Sequence, residues 1–110
     1  MITITQLEYV VALDKSGSFR QAAKACHVTQ PTLSMQIQKL EDFLGVIIFD
    51  RAQQPTQPTP IGRKIIDQAR IALSETNRIT SIIHEAKETI EGRVRFAVIP
   101  TLAPYVVPLF

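Results

Sequence analysis

Three times in the first 45 residues a hydroxyl residue precedes apolar positions at helical spacing, and each run stops at a glycine or a short polar break. Thr5 with Glu8 three residues on reads as a capping box, and Ile4 ahead of it can pack on Tyr9 as a hydrophobic staple. Leu7, Val10 and Val11 then form an i, i+3, i+4 face, which predicts a helix over about 6–15. Gly17 can take the left-handed conformation that ends it. Ser18 and Gln21 form a second box, and Phe19, Ala22, Ala23 and Cys26 lie on one stripe of a short second helix. After the break His27-Val28-Thr29, Thr29 caps a third helix, Pro31 loses nothing in its first turn by lacking an N–H, and Val28 can staple onto Leu33. Leu33, Ile37, Leu40 and Leu44 mark the inner face, and Gly45 closes the helix. Two helices joined by so tight a turn, with small Ala22 and Ala23 permitting close approach, predict a helix-turn-helix over about 19–38.

After Gly45 the pattern turns β-rich over 46–50, followed by Gln53-Gln54-Pro55-Thr56-Gln57-Pro58, whose prolines cannot donate to a central ladder. This predicts a small wing. Thr59-Pro60 restarts a helix, and only Gly62 interrupts it before 91, giving some 32 residues or roughly 48 Å. Within it Ile65, Ala69, Ala72, Thr76, Ile79, Ile83, Ala86 and Ile90 recur at alternating spacings of four and three, the seam of a helix that meets a partner helix. The alternative is a one-sided amphipathic helix lying on its own domain. Gly92 is expected to end the helix, 93–100 alternates polar and apolar like a strand entering a sheet, and 101–110 starts another helix. A strand and half a helix bury no core alone, so the expectation is the front end of a longer protein. The fold class is thus mainly α: a winged helix-turn-helix at 1–59, a linker and dimerisation helix at 60–91, and the truncated first strand of an α/β domain at 92–110.

A length of 110 residues fits one small domain and excludes a two-domain enzyme. Apolar residues at 45% and charged residues at 20% give globular rather than disordered composition. The longest apolar runs, such as Val46-Ile47-Ile48-Phe49, fall far short of the about 20 residues of a spanning helix, so no membrane is expected as a partner. No basic residue precedes Val10-Val11-Ala12-Leu13, so the N-terminus does not read as a signal peptide. One cysteine forms no intrachain disulfide, which suits the reducing cytoplasm. The net charge is +2, yet Lys15, Arg20, Lys24, Lys39 and Arg51 are balanced by Glu8, Asp14, Glu41, Asp42 and Asp50. Bulk charge therefore does not point to nucleic acid, and the case rests on where individual residues sit.

His27 in the turn and His84 on the long helix have no ligands at metal spacing, and the four glycines are scattered singly. No enzyme, metal site or cofactor is expected. Cys26 reads as a small hydrophobe on its stripe, the alternative being a redox thiolate lowered by Lys24 or Arg20. The third helix offers more: opposite its apolar face lie Pro31, Thr32, Met35, Gln38, Lys39 and Asp42, with Ser34 on the flank and acidity only at Glu41-Asp42. In a major groove Gln30 or Gln38 could pair with adenine edges, and the Thr32 methyl or Pro31 could touch a thymine methyl. Thr29, Ser34 and the free N–H groups at the helix start suit phosphate, and Arg20, Lys39 and Arg51 add charge at the flanks. For any one of these residues alone a solvated helix face with no ligand would be the favoured reading. Cap, tight turn, polar face and wing in that order favour double-stranded DNA.

The runs Leu7-Glu8-Tyr9, Ser18-Phe19-Arg20-Gln21-Ala22-Ala23, Val28-Thr29-Gln30-Pro31-Thr32-Leu33-Ser34, Leu40-Glu41, Leu44-Gly45, Phe49-Asp50-Arg51 and Thr59-Pro60-Ile61-Gly62, with Ile37, resemble the winged helix-turn-helix of LysR-type transcriptional regulators. The resemblance covers essentially residues 1–91. Ala25-Cys26-His27-Val28-Thr29-Gln30-Pro31-Thr32-Leu33-Ser34 and Ile99-Pro100-Thr101-Leu102-Ala103-Pro104-Tyr105-Val106-Val107-Pro108 resemble the OxyR-type branch, the peroxide sensors. The resemblance implies a bacterial DNA-binding protein that forms a homodimer through its long helix, usually antiparallel, or a tetramer at full length, with a C-terminal α/β effector domain. Peroxide-reactive cysteines of that branch would lie beyond Phe110, which leaves Cys26 outside their role. Two departures stand out. The family often has Arg where Met35 stands, so a direct guanine contact is lost, and its wing is commonly basic where this one reads Ala52-Gln53-Gln54-Pro55, leaving Arg51 as the minor-groove or phosphate contact. The competing reading is a coiled-coil oligomerisation module without specific DNA binding, which the neutral front half permits.

Overall fold

The structure, a computed structural model, describes residues 1–97. Its elements are α1 (Ile4–Ser16), α2 (Phe19–Ala25), α3 (Gln30–Leu44), β1 (Phe49–Asp50), β2 (Gln57–Pro58) and α4 (Pro60–Ala97). The chain separates into two compact units, Met1–Glu75 and Thr76–Phe110.

Helix α1 is capped two residues earlier than expected. Thr3, not Thr5, closes the box: its hydroxyl accepts from Gln6 N–H at 3.1 Å, and Gln6 Oε1 accepts from Thr3 N–H at 3.1 Å. Both threonines have an amide or acid three residues on; the earlier register adds helical hydrogen bonds and turns Gln6 inward, where its Nε2 donates to Gln36 Oε1 at 3.4 Å. The inner face is accordingly Gln6, Tyr9, Val10 and Leu13, with Leu7 and Val11 only half-buried. Gly17 ends the helix at φ 70°, donating its N–H to Leu13 C=O at 2.8 Å. Ser18 caps α2, Thr29 caps α3, and Gly45 closes α3. Ala22, Ala23, Leu33, Ile37 and Leu40 are buried as expected, with Phe19, Cys26, Val28 and Leu44 packed around them.

Glu41 is where the structure departs most from the sequence pattern. Expected on the outer face of α3, it is 2% exposed. Its Oε2 accepts from Ile48 N–H at 2.7 Å and Phe49 N–H at 3.2 Å, and its Oε1 lies 3.0 Å from Arg51 Nη1. The acid thus supplies acceptors for backbone donors that enter the core with Ile48 and Phe49, and a counter-ion holds its charge.

The wing is an antiparallel pair, Phe49 opposite Pro58 and Asp50 opposite Gln57. Thr56, buried at its base, donates its N–H to Gly17 C=O at 2.9 Å. Thr59 then ties the wing to α4: its N–H donates to Ile48 C=O at 2.9 Å, its hydroxyl to Ile47 C=O at 2.6 Å, and that hydroxyl accepts from Gly62 N–H at 3.0 Å. A Cβ at Gly62 would fall 2.0 Å from Ile48 O, so helix and strand approach closely only because this residue has no side chain.

The first turns of α4 serve the front unit's own core. Ile66 and Ala69 are buried and Ile65 packs against the core, which removes Ile65 and Ala69 from the expected partner-facing seam. Ala72 and Thr76 are half-buried, whereas Ile79, Ile83 and Ala86 are exposed, Ile79 by 63%. Ile90 lies outside the residues whose side chains are described. Asp14 of α1, with its side chain 10% exposed, accepts from Arg63 and from Arg70 Nη2 at 2.6 Å. Burial pushes its pKa up, but the two guanidiniums outweigh this and hold it below the usual carboxylate range.

Gly92 does not end α4, which runs on through Ala97, so the strand expected over 93–100 is not formed at 93–97. A glycine inside a helix costs only about 1 kcal/mol. A lone strand has no neighbour for its N–H and C=O groups, which a helix satisfies locally. The rest of that strand and the helix expected over 101–110 lie outside the described residues.

Replacing Glu41 tests its structural part. Glu41→Ala leaves two buried N–H groups and a guanidinium unpartnered and is expected to cost about 2 to 4 kcal/mol in urea denaturation, whereas Glu41→Gln, which keeps an acceptor, costs about 1 kcal/mol. Equal losses for the two would show that the backbone acceptance contributes nothing.

Candidate nucleic-acid interface

Helix α3 presents the polar face that its periodicity predicts. Thr29, Gln30, Pro31, Thr32, Met35, Gln38 and Lys39 are exposed, and Ser34 is half-buried on the flank. The Thr29 hydroxyl accepts from Thr32 N–H at 3.3 Å and donates to Thr32 Oγ1 at 2.8 Å. Thr29 is therefore occupied in capping, while the Thr32 hydroxyl hydrogen remains available to an acceptor outside the helix. Gln38 Nε2 donates to Asp42 Oδ1 at 2.9 Å, which fixes the amide and leaves its Oε1 outward as an acceptor. Gln30 makes no such bond among the described residues, so both ends of its amide are free for the donor–acceptor pair of an adenine edge.

The turn before α3 owes its tightness to His27, which takes a left-handed φ of 59°. Val28 N–H then reaches back to Ala23 C=O at 3.0 Å, so α2 and α3 are held at a fixed angle. Arg20 lies exposed on α2.

Arg51 behaves differently from a free flank cation. Its guanidinium pairs with buried Glu41 and lies 5.3 Å from the Phe19 ring centroid, with the side chain 34% exposed. Arg51 Nη2 is buried with no hydrogen-bond partner among the described residues. The wing tip beyond it, Ala52, Gln53, Gln54 and Pro55, is exposed. Glu41 is the residue that sequence reasoning missed, although a signal existed: it stands four residues after Ile37 and eight after Leu33, on the apolar stripe, where an acid needs a counter-ion.

Cys26 is half-buried beside a groove that Glu8, Val11, Lys15 and Leu73 also line. Burial pushes its thiol pKa up and the Glu8 carboxylate adds to the shift. The neighbouring charge that acts on the thiol is negative, which runs against a thiolate lowered by Lys24 or Arg20. Among the described residues no three His, Cys, Asp or Glu side chains converge to hold a metal ion, and no helix is long and apolar enough to cross a membrane.

This arrangement of capped recognition helix, tight turn and two-stranded wing matches, over residues 4–63, the bacterial regulatory helix-turn-helix proteins of the lysR family. The chain belongs to the LysR family. The DNA-binding transcriptional dual regulator OxyR of Escherichia coli is 43% identical to it over 107 residues, covering 97% of this chain and 35% of that protein. The chain therefore spans about a third of the length of this relative and of other hydrogen peroxide-inducible genes activators that it matches. Among solved structures, a full-length OxyR variant from Pseudomonas aeruginosa has a TM-score of 0.75 at 41% identity, covering 79% of this chain and 30% of that one. The DNA-binding domain of BenM in complex with benA site 1 DNA has a TM-score of 0.75 at 32% identity, covering 78% of this chain and 97% of that one. The LysR-type domain here is thus a winged helix-turn-helix followed by a long helix, and α3 occupies the place of the recognition helix.

For this LysR-type chain the thiol gives a direct check. The pH profile of Cys26 alkylation is expected to have its midpoint above the about 8.5 of an unperturbed thiol. A midpoint below that value would restore the reactive-thiolate reading.

Proposed function

We propose that the chain is the DNA-reading and dimerising end of a peroxide-responsive LysR-type transcription factor. The observation that carries this is the exposed α3 face, Gln30, Pro31, Thr32, Met35 and Gln38, anchored from behind by Leu33, Ile37, Leu40 and Glu41. Such a face enters a major groove, with Gln30 reading adenine and the Thr32 methyl or Pro31 touching thymine. Met35 offers an apolar contact rather than the guanidinium fork that selects guanine. The likeness to a DNA-bound domain, covering 97% of that chain, supports the same placement. Response to peroxide is supported by the relatives' descriptions as OxyR and hydrogen peroxide-inducible genes activators. With Cys26 pushed away from thiolate, the sensing chemistry is not assigned to this thiol.

Dimerisation completes the reading. One winged helix covers one half-site, so tight binding needs a second copy at fixed spacing. The exposed Ile79 and Ile83 supply the apolar surface for that pairing, with Ala86 and Ile90 continuing the seam.

Two measurements test the proposal. On a duplex selected by the protein from a random pool, Gln30→Ala is expected to relax preference at one base step by about 1 to 3 kcal/mol. Lys39→Ala is expected to weaken selected and random DNA alike. Equal loss on both for Gln30→Ala would remove it from base reading. Ile79→Asp places a charge on the seam and is expected to give a monomer in sedimentation, with binding to a two-half-site duplex abolished and the helical circular dichroism retained. A monomer that still binds that duplex with parental affinity would show that the seam does not couple the reading heads.

A further inference from the structure

We infer that the phosphate-anchoring charge of this interface sits on α2, at Arg20 and Lys24, and not on the wing. The inference rests on the DNA-binding reading above and says where its electrostatic grip lies. The wing has one cation, Arg51, and the fold takes it: Glu41 holds its Nη1 at 3.0 Å and Phe19 covers its face at 5.3 Å. Beyond it the exposed tip is Ala52, Gln53, Gln54 and Pro55, with no charge to offer a phosphate. Arg63 and Arg70 on α4 are likewise engaged, both at Asp14.

Arg20 and Lys24 remain free. They are exposed, stand one turn apart on one face of α2, about 6 Å along its axis, and make no ion pair among the described residues. Position selects them over the other exposed cations. Helix α2 precedes the recognition helix and is held to it by the His27 turn and the Val28 N–H to Ala23 C=O bond. In a helix-turn-helix the first helix crosses the phosphate backbone while the second enters the groove. Lys15, in contrast, lines the groove between α1 and α4, beside Glu8. Lys39, exposed on α3, adds a third cation to this grip, while the uncharged wing tip contributes hydrogen bonds and shape.

The test uses the whole chain and random-sequence duplex DNA, because phosphate binding is independent of sequence. Removing one cation from a phosphate lowers the slope of log affinity against log salt by about 0.9, so Arg20→Gln with Lys24→Gln is expected to lower it by about 1.8 per protomer. Lys24→Gln alone lowers it by half of that, and Arg51→Gln combined with Glu41→Gln, which leaves no buried charge uncompensated, leaves it unchanged. Thermal melting of each variant confirms the fold; both α2 side chains are exposed, so their replacement leaves the core intact. An α2 double variant that keeps the parental slope, or a folded Arg51→Gln, Glu41→Gln variant whose slope falls, would overturn the α2 assignment while leaving the DNA-binding reading in place. A parent chain with no salt-dependent binding would overturn both.

Discussion

A single buried carboxylate organises the front unit. Glu41 sits at the end of α3, yet its two oxygens serve Ile48, Phe49 and Arg51, all beyond the helix. Without an acceptor there, Ile48 and Phe49 could not bring their backbone into the core along with their side chains, because buried unpaired N–H groups are costly. Phe49 begins β1, and Ile48 C=O in turn receives Thr59 N–H, which starts α4. The orientation of the recognition helix, the position of the wing and the launch of the long helix therefore share one electrostatic fixing point.

The same requirement shapes the surface proposed to meet DNA. A buried charge persists only with a partner, so the protein uses its wing arginine inside rather than outside. The neutral charge balance of the first 62 residues then acquires structure: Arg51 is committed to Glu41, as Arg63 and Arg70 of α4 are to Asp14, and of the remaining cations in that stretch all but Lys15 lie on α2 and α3. Charge presentation here follows from what the fold withdraws as much as from what the sequence contains.

Helix α4 divides its apolar stripe between two tasks. Ile65, Ile66 and Ala69 close the core beneath α1, where Asp14 grips Arg63 and Arg70, and Gly62 allows the approach to Ile48. Further along, Ile79 and Ile83 are exposed. A heptad repeat alone does not distinguish burial inside a chain from burial between chains, because both ask for the same residue types at the same spacing.

What the sequence by itself determined is what lies within four residues of its cause. Ser18 and Thr29 as caps, Gly17 and Gly45 as helix ends, the proline-bounded wing and the polar face of α3 all follow from local hydrogen bonding and helical periodicity. The choice of Thr3 over Thr5 was not legible, since both fit the capping pattern and what separates them includes the packing of Gln6 against Gln36, far along the chain. Nor was the burial of Glu41, whose partners are seven to ten residues on, or the grip of Asp14, whose partner Arg70 is 56 residues away. The continuation of α4 past Gly92 depends on whether a neighbouring strand is present to pair with it. Tertiary structure decided these points because a charged or polar side chain is placed by the partners that compensate its desolvation, and those partners are brought to it only when the chain has folded.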